Sequence, residues 1–207
     1  MFVAASTRDR FYAKRCTRHC QFARTPLLLW IRHRESARRV TYNPPMTLPQ
    51  FFLKQKEAIR ARTREVFAMV RPEHMDWKPE PGALSVGEML RHLWVSEEGV
   101  RRCALNGDFR YYKVRVPKGL LAVIGTPGPL QEELQNAERV HAETLKAVAG
   151  LPPELFDEER ANAELGFRRK VAVMLFGINE HEIHHRAQLM TYLRMLGTPV
   201  ALKLAKK

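Results

Sequence analysis

From Pro49 onward, apolar residues return at every third or fourth position, the spacing of one helix face rather than the alternation of a strand. Phe52, Ala58, Ile59, Val66, Phe67 and Val70 trace the first stripe and predict a helix over 49–70, ended by Arg71-Pro72. A proline-rich stretch follows. Ser85-Val86-Gly87-Glu88 then has the form of a capping box, in which Ser85 accepts from the Glu88 amide and the Glu88 carboxylate reaches back. The second helix therefore begins near 86, carries Met89, Leu90, Leu93, Trp94 and Val100, and stops at Asn106-Gly107.

Residues 106–128 are ambiguous. Phe109, Tyr111, Tyr112, Val114 and Val116 suit a short strand, whereas Pro117, Gly119, Gly125, Pro127 and Pro129 suit a long structured connection. A third helix is expected over 129–149, with Pro129 in its first turn, a stripe through Leu130, Leu134, Ala137, Val140, His141, Leu145 and Val148, and Gly150 as its stop. A fourth runs from about Phe167 to Leu196 and ends at Gly197-Thr198-Pro199. Four helices without a convincing sheet make an all-α, antiparallel four-helix bundle the economical fold.

Length and composition add one domain boundary. The 207 residues are 45% hydrophobic, enough for one ordinary domain and an appendage. The net charge of +13 is uneven: residues 1–45 hold ten Lys/Arg against Asp9 and Glu35 and so carry +8 of it. We expect 1–45 to be a poorly ordered basic extension and 46–207 the folded domain. Asn43-Pro44-Pro45 breaks any helix, and Met46-Thr47-Leu48-Pro49 opens a well-patterned segment that suits a normal start, so the extension reads as translation from an upstream start that the natural protein does not use. A transit peptide and a nucleic-acid-binding arm are the alternatives. The apolar run Leu27 to Ile31 is too short for a secretory signal. Cys16, His19 and Cys20 have a zinc-like spacing but no evident fourth ligand. The odd cysteine count, without a signal peptide, points to a reducing, cytoplasmic compartment. No segment approaches the apolar length of a membrane span.

Candidate chemistry concentrates in His181-Glu182-Ile183-His184-His185. On a helix, His181 and His185 sit one above the other, about 6 Å apart, so both imidazoles can turn to one metal ion, while His184 is rotated about 100° away. A further ligand must come from another helix. His74 lies in the proline-rich loop beside Asp76. His92 lies on the second helix between Leu90 and Leu93, where Glu88, one turn back, is placed to orient its ring. His141 competes from the third helix. The same five residues also spell the H-E-x-x-H of zincin proteases, with Glu182 as general base. Residues 186–207, however, contain no His, Asp or Glu to supply the downstream ligand, so Glu182 reads as a solvated group or as one supporting the ligands.

Trp77-Lys78-Pro79, Pro81 and Ser85 to Leu93, followed about ninety residues later by His181 to Gln188, resemble the DinB/YfiT-like family over roughly 47–197. The resemblance implies a left-handed four-helix bundle and a divalent metal on one histidine of the second helix and an H-x-x-x-H pair of the fourth, here His92, His181 and His185. It also implies a homodimer and, for some relatives, thiol-dependent transferase or isomerase activity. Ala187 departs from the pattern, where Gly is common.

Three neutral imidazoles leave zinc or nickel with open positions, the catalytic rather than the structural arrangement. The expectation is thus a DinB-like, metal-dependent transferase, isomerase or hydrolase that activates water or a low-molecular-weight thiol toward a small-molecule substrate. A non-catalytic metal-binding stress-response protein, or a nucleic-acid-associated protein using the basic tail, is the alternative. Cys103 cannot supply sulfur, since eleven residues beyond His92 is about 16 Å along the axis. Gln188 and Tyr192 lie near the His181 face and are candidates to touch substrate, with core packing the plainer role for Tyr192. Gly177, one turn before His181, leaves room over the ion or permits close helix packing; Phe67, Trp94 and Phe176 read as core.

Overall fold

The computed structural model describes residues 45–200. Four long helices form the body: α1 (Leu48–Phe67), α2 (Val86–Asn106), α5 (Leu130–Ala149) and α6 (Val171–Met195). Between α2 and α5 lie two short ones, α3 (Arg110–Lys118) and α4 (Leu121–Ile124), and between α5 and α6 a ribbon of β1 (Glu159–Asn162) and β2 (Phe167–Lys170). The capping box of α2 is present as expected: the Glu88 amide donates to Ser85 Oγ at 3.1 Å and the Ser85 amide to Glu88 Oε2 at 2.7 Å. Gly107 ends the helix at φ +67°, a left-handed conformation that costs glycine nothing.

One ambiguity is resolved and one boundary is corrected. The aromatic and β-branched run in 106–128 is helical, not extended, because Tyr111 of α3 packs on Gly99 of α2, where any Cβ would overlap its ring; burial overrides the local strand preference. The fourth long helix begins at Val171, not Phe167. Residues 167–170 instead pair antiparallel with β1 in the register Glu159↔Lys170 to Asn162↔Phe167, a ribbon too short to show alternation in the sequence.

Each long helix packs chiefly on two others: α1 on α5 and α6, and α2 on α5 and α6, so that α1 lies diagonally across from α2. Side-chain pairs give the directions. Arg64–Glu138 and Glu57–His141 run α5 against α1, whereas Arg91–Glu133 and Arg101–Glu143 run it alongside α2. A chain that leaves α2 and must re-enter alongside it has to travel back the length of a helix, about 30 Å for α2. The segment holding α3 and α4 makes that return.

The apolar core is split in two. One cluster gathers Val66, Phe67, Leu90, Leu93, Leu189 and Leu193; the other gathers Phe52, Cys103, Phe156, Val171, Leu175 and Ile178. Between them, at mid-height, α1, α2 and α6 each turn polar residues inward: Lys56, Arg60 and Thr63; His92, Ser96 and Glu97; Asn179, Glu182 and His185. No helix among the described residues is long and apolar enough to cross a membrane.

Candidate metal centre

His92 from α2 and His181 and His185 from α6 meet in this polar layer. Their ring centroids lie 4.5, 4.6 and 4.4 Å apart, nearly an equilateral triangle with each pair of rings edge to face. One ring nitrogen from each lies within 4.8 Å of the others, and the Nε2 atoms of His92 and His181 are 2.9 Å apart. The i, i+4 spacing places both α6 histidines on the face packed against α2, and the crossing of the two helices brings His92 between them.

Burial pushes the His92 imidazole down to about 3 and the His181 imidazole down to about 2, the neighbouring histidines adding to the effect. His185 is lowered too, again mainly by burial and against the hydrogen bond to Gln188, which raises it. Three neutral imidazoles with their nitrogens turned to one point are the donor set that a divalent cation of borderline softness takes. The outward nitrogens are held as well. His185 Nδ1–H donates to Gln188 Oε1 at 2.6 Å, and His92 Nδ1 lies 2.8 Å from Ser96 Oγ. Ser96 in turn meets Tyr111 Oη at 2.9 Å, and Arg115 donates to that phenol oxygen at 2.7 Å. A line of hydrogen bonds therefore leads from His92 to the surface of α3.

The residue expected to steady His92 is a different one. Glu88 spends its carboxylate on the amide of Ser85, as the third residue of a capping box must, and Ser96, one turn forward, occupies the place assigned to it. Of the two readings of Glu182 the solvated one falls: it is 2% exposed and bound to Lys56 at 2.8 Å and to Arg60 at 3.2 Å. Lys56 and Arg60 reach Glu97 as well, at 2.7 and 3.1 Å, closing a buried group of two cations and two anions beside the histidines. Burial opposes ionisation of Glu182, but the Lys56 and Arg60 charges prevail and hold its carboxyl below the usual range. This network ties α1 to α2 and α6 at the height of the site.

Of the other candidates, Gln188 joins the site through His185, whereas Tyr192, half-buried against the first core cluster, stacks edge-on against Trp77 at 5.4 Å. His74 accepts from the Arg71 amide in the turn after α1, and His184 is exposed. His141 is buried on α5 with neither ring nitrogen hydrogen-bonded. Cys103 is buried in the second core cluster, its thiol pushed up to about 11 by that burial. Cys16, His19 and Cys20, with the expectations for the basic extension up to residue 44, lie outside the described residues. Ser96, Tyr111, Lys56, Arg60 and Glu97 were not singled out from sequence. Two of them left a signal: Lys56 and Arg60 fall one and two turns after Phe52 on the buried stripe of α1, where a charge needs a partner.

A cleft of about 560 Å³ opens beside His181, within the range of small-molecule sites. Its walls come from α2 (Ser96, Val100), α3 (Tyr112, Arg115), β2 (Phe167, Arg169) and the α6 turns before His181. Gly177 lines it, and a Cβ there would meet nothing within 4 Å; the glycine opens the cleft rather than letting helices approach.

Fold and site together define a helical-bundle protein with a three-histidine cluster, of which His181 lines an open cleft. The chain belongs to the DinB superfamily, whose family model matches residues 55–189. It is 27% identical over 143 residues to the uncharacterized protein YjoA of Bacillus subtilis (strain 168), covering 65% of this chain and 82% of that protein. The solved structure of that DinB-like protein superposes with a TM-score of 0.58 at 20% identity, over 76% of this chain and 98% of that one. A DinB-like protein from Bacillus cereus ATCC 10987 gives 0.59 at 16%, over 77% and 99%. YfiT from Bacillus subtilis, described as "a probable metal-dependent hydrolase with an unusual four-helix bundle topology", gives 0.56 at 13%, over 76% and 95%.

Proposed function

We propose that this protein is a metal-dependent enzyme whose 46–207 domain holds a divalent cation, zinc or nickel, on His92, His181 and His185. The observation that carries the reading is the convergence of three neutral imidazoles beside a cleft large enough for a small molecule. The description of YfiT agrees with it. Such an ion supplies Lewis acidity, lowering the pKa of a water or low-molecular-weight thiol that it binds.

The protein's own groups do the rest. With Nε2 turned to the ion, His92 carries its proton on Nδ1 and donates it to Ser96 Oγ, and Ser96 then donates to Tyr111 Oη. That phenol oxygen also accepts from Arg115, so its own hydrogen is left to point into the cleft, toward a bound substrate. Gln188 fixes the ring of His185 in the same way. The neutral group of Lys56, Arg60, Glu97 and Glu182 keeps α2 and α6 at the separation the three rings require, without lending a carboxylate to the ion. The open cleft favours turnover of a small molecule over passive metal storage. The reading includes a homodimer, checked by light scattering, and a reducing, cytoplasmic setting, in line with the lone buried thiol among the described residues.

Metal analysis of the purified full chain tests the site. Wild-type protein is expected to retain close to one divalent ion per chain and to melt higher with added zinc or nickel, and His92→Ala and His181→Ala to lose both properties. Wild-type protein that gains no more from either metal than the alanine variants do would refute the site.

A further inference from the structure

We infer that the cleft selects an apolar-bodied carboxylate, anchored by Arg115 and Arg169 with its reacting end at the three histidines. This names the substrate class of the site proposed above and rests on that reading for the chemistry at the reacting end. Both arginines line the cleft, Arg115 from α3 and Arg169 from β2. On α3, Tyr111, Tyr112 and Arg115 share the face turned to the cleft, and the bond to Tyr111 Oη holds the Arg115 guanidinium in place. On β2 the two-residue period separates the neighbours Arg168 and Arg169: Arg168 pairs with Glu159, while Arg169 shares the cleft side with Phe167 and lies over its ring at 5.8 Å.

Among the described residues neither Arg115 nor Arg169 has a carboxylate within ion-pair distance, although most arginines on these helices do. Two guanidiniums at the mouth of one cleft, both without a counter-ion, form a site for an anion from outside. The charge balance sets its valence. Glu97, also in the lining, is answered by Lys56 and Arg60 beneath it, which leaves Arg115 and Arg169 against the exposed Glu180 alone. One net positive charge matches a carboxylate better than a phosphate dianion. Most of the remaining lining is apolar or aromatic (Val100, Tyr112, Val116, Phe167, Val173, Met174), so the body of the ligand is apolar. The carboxylate can belong to the substrate or to a thiol that carries one.

Binding to the full chain, zinc-loaded and chelator-stripped, is measured by calorimetry with 3-phenylpropionate, hexanoate, their uncharged amides, and 6-mercaptohexanoate. Both acids are expected to bind and the amides not to. Arg115→Met and Arg169→Met should each weaken acid binding about tenfold or more, as loss of a charged hydrogen-bond donor does. Gly177→Leu fills the cleft and removes a helical glycine, so it should abolish acid binding without lowering the melting temperature. A thiol acid that exceeds hexanoate only on zinc-loaded protein assigns the carboxylate to the thiol, and parity assigns it to the substrate; either supports the arginine pair. Arginine-dependent binding by stripped protein that takes up no zinc sustains the subsite while the metal reading falls. Acids that bind zinc-loaded protein alone, unchanged in the arginine variants, overturn the subsite and leave the metal reading standing. Equal binding of acids and amides, no binding of either acid, or full binding by Gly177→Leu also overturns it.

Discussion

Replacing Lys56 by Met tests whether the buried charge group holds the bundle together at the height of the site. Lys56 has no exposed surface, and its ammonium bonds Glu97 at 2.7 Å and Glu182 at 2.8 Å. Methionine fills nearly the same volume, so little of the effect is cavity formation; what is lost is the charge. Two carboxylates then face Arg60 alone. Removing one partner of a buried ion pair costs about 3–5 kcal/mol, because the remaining charge stays desolvated. In a domain of this size each kcal/mol lowers the melting temperature by about 2–4 °C, so the expected drop is about 6–20 °C. Against a total stability of about 5–15 kcal/mol, the variant folds but is strongly weakened.

The pH dependence gives a second reading of the same variant. In the wild type Glu182 is held below the usual carboxylate range, so its contribution is complete above the unfolded value and is lost as pH falls through the folded one. Without Lys56, burial governs and favours the protonated acid, whose stability is lost as pH rises. The gap between variant and wild type is therefore expected to be widest near pH 7 and to narrow toward pH 4–5. Lys56→Met/Glu97→Gln restores neutrality and should recover more than half of the loss. Thermal melts followed by circular dichroism across that pH range provide the measurement. A Lys56→Met protein melting within 2 °C of wild type, or a double variant no better than the single one, would refute the reasoning.

His141, buried with neither ring nitrogen hydrogen-bonded and Glu57 no nearer than 3.7 Å, should be better replaced by Leu, by about 1–2 kcal/mol at pH 7. Its pKa is lowered by burial first and then by Arg60 and Lys56, so only the unfolded wild type takes up this proton below about pH 6.5. The advantage of the leucine variant should grow from pH 7 to pH 5 in paired melts, and a constant difference would count against it. Ser96→Ala removes the group facing His92 Nδ1 and should weaken zinc binding about 10–100-fold in a chelator competition, while Ser96→Thr retains most of it. Equal affinity in all three proteins would show that the serine does not position the ligand.

The long helices and their caps were legible in the sequence because helical periodicity and capping are local: Ser85 and Glu88 act on each other three residues apart. The histidine pair was legible for the same reason, being one turn of one helix. His92 was harder, since only the crossing of α2 and α6 brings it to the pair, and the resemblance to known proteins singled it out. What escaped was set by tertiary context. Tyr111 and Tyr112 favour a strand locally, yet Gly99 offers Tyr111 a seat on α2 that makes α3 a helix. Glu182 looks like a surface residue until Lys56 and Arg60 of a helix more than a hundred residues earlier are seen to meet it.

The return passage between α2 and α5 exists because those helices run the same way, and the chain has used it to place Tyr111 and Arg115 over the cleft. The three clustered histidines sit on the long helices α2 and α6, whereas four of the residues that line the cleft (Tyr111, Tyr112, Arg115 and Val116) are drawn from this passage. Exchange of that passage alone could redirect which molecule is accepted while the histidine cluster stays unaltered. For anyone wishing to graft a new specificity onto this bundle, residues 107–129 are the stretch to redesign first.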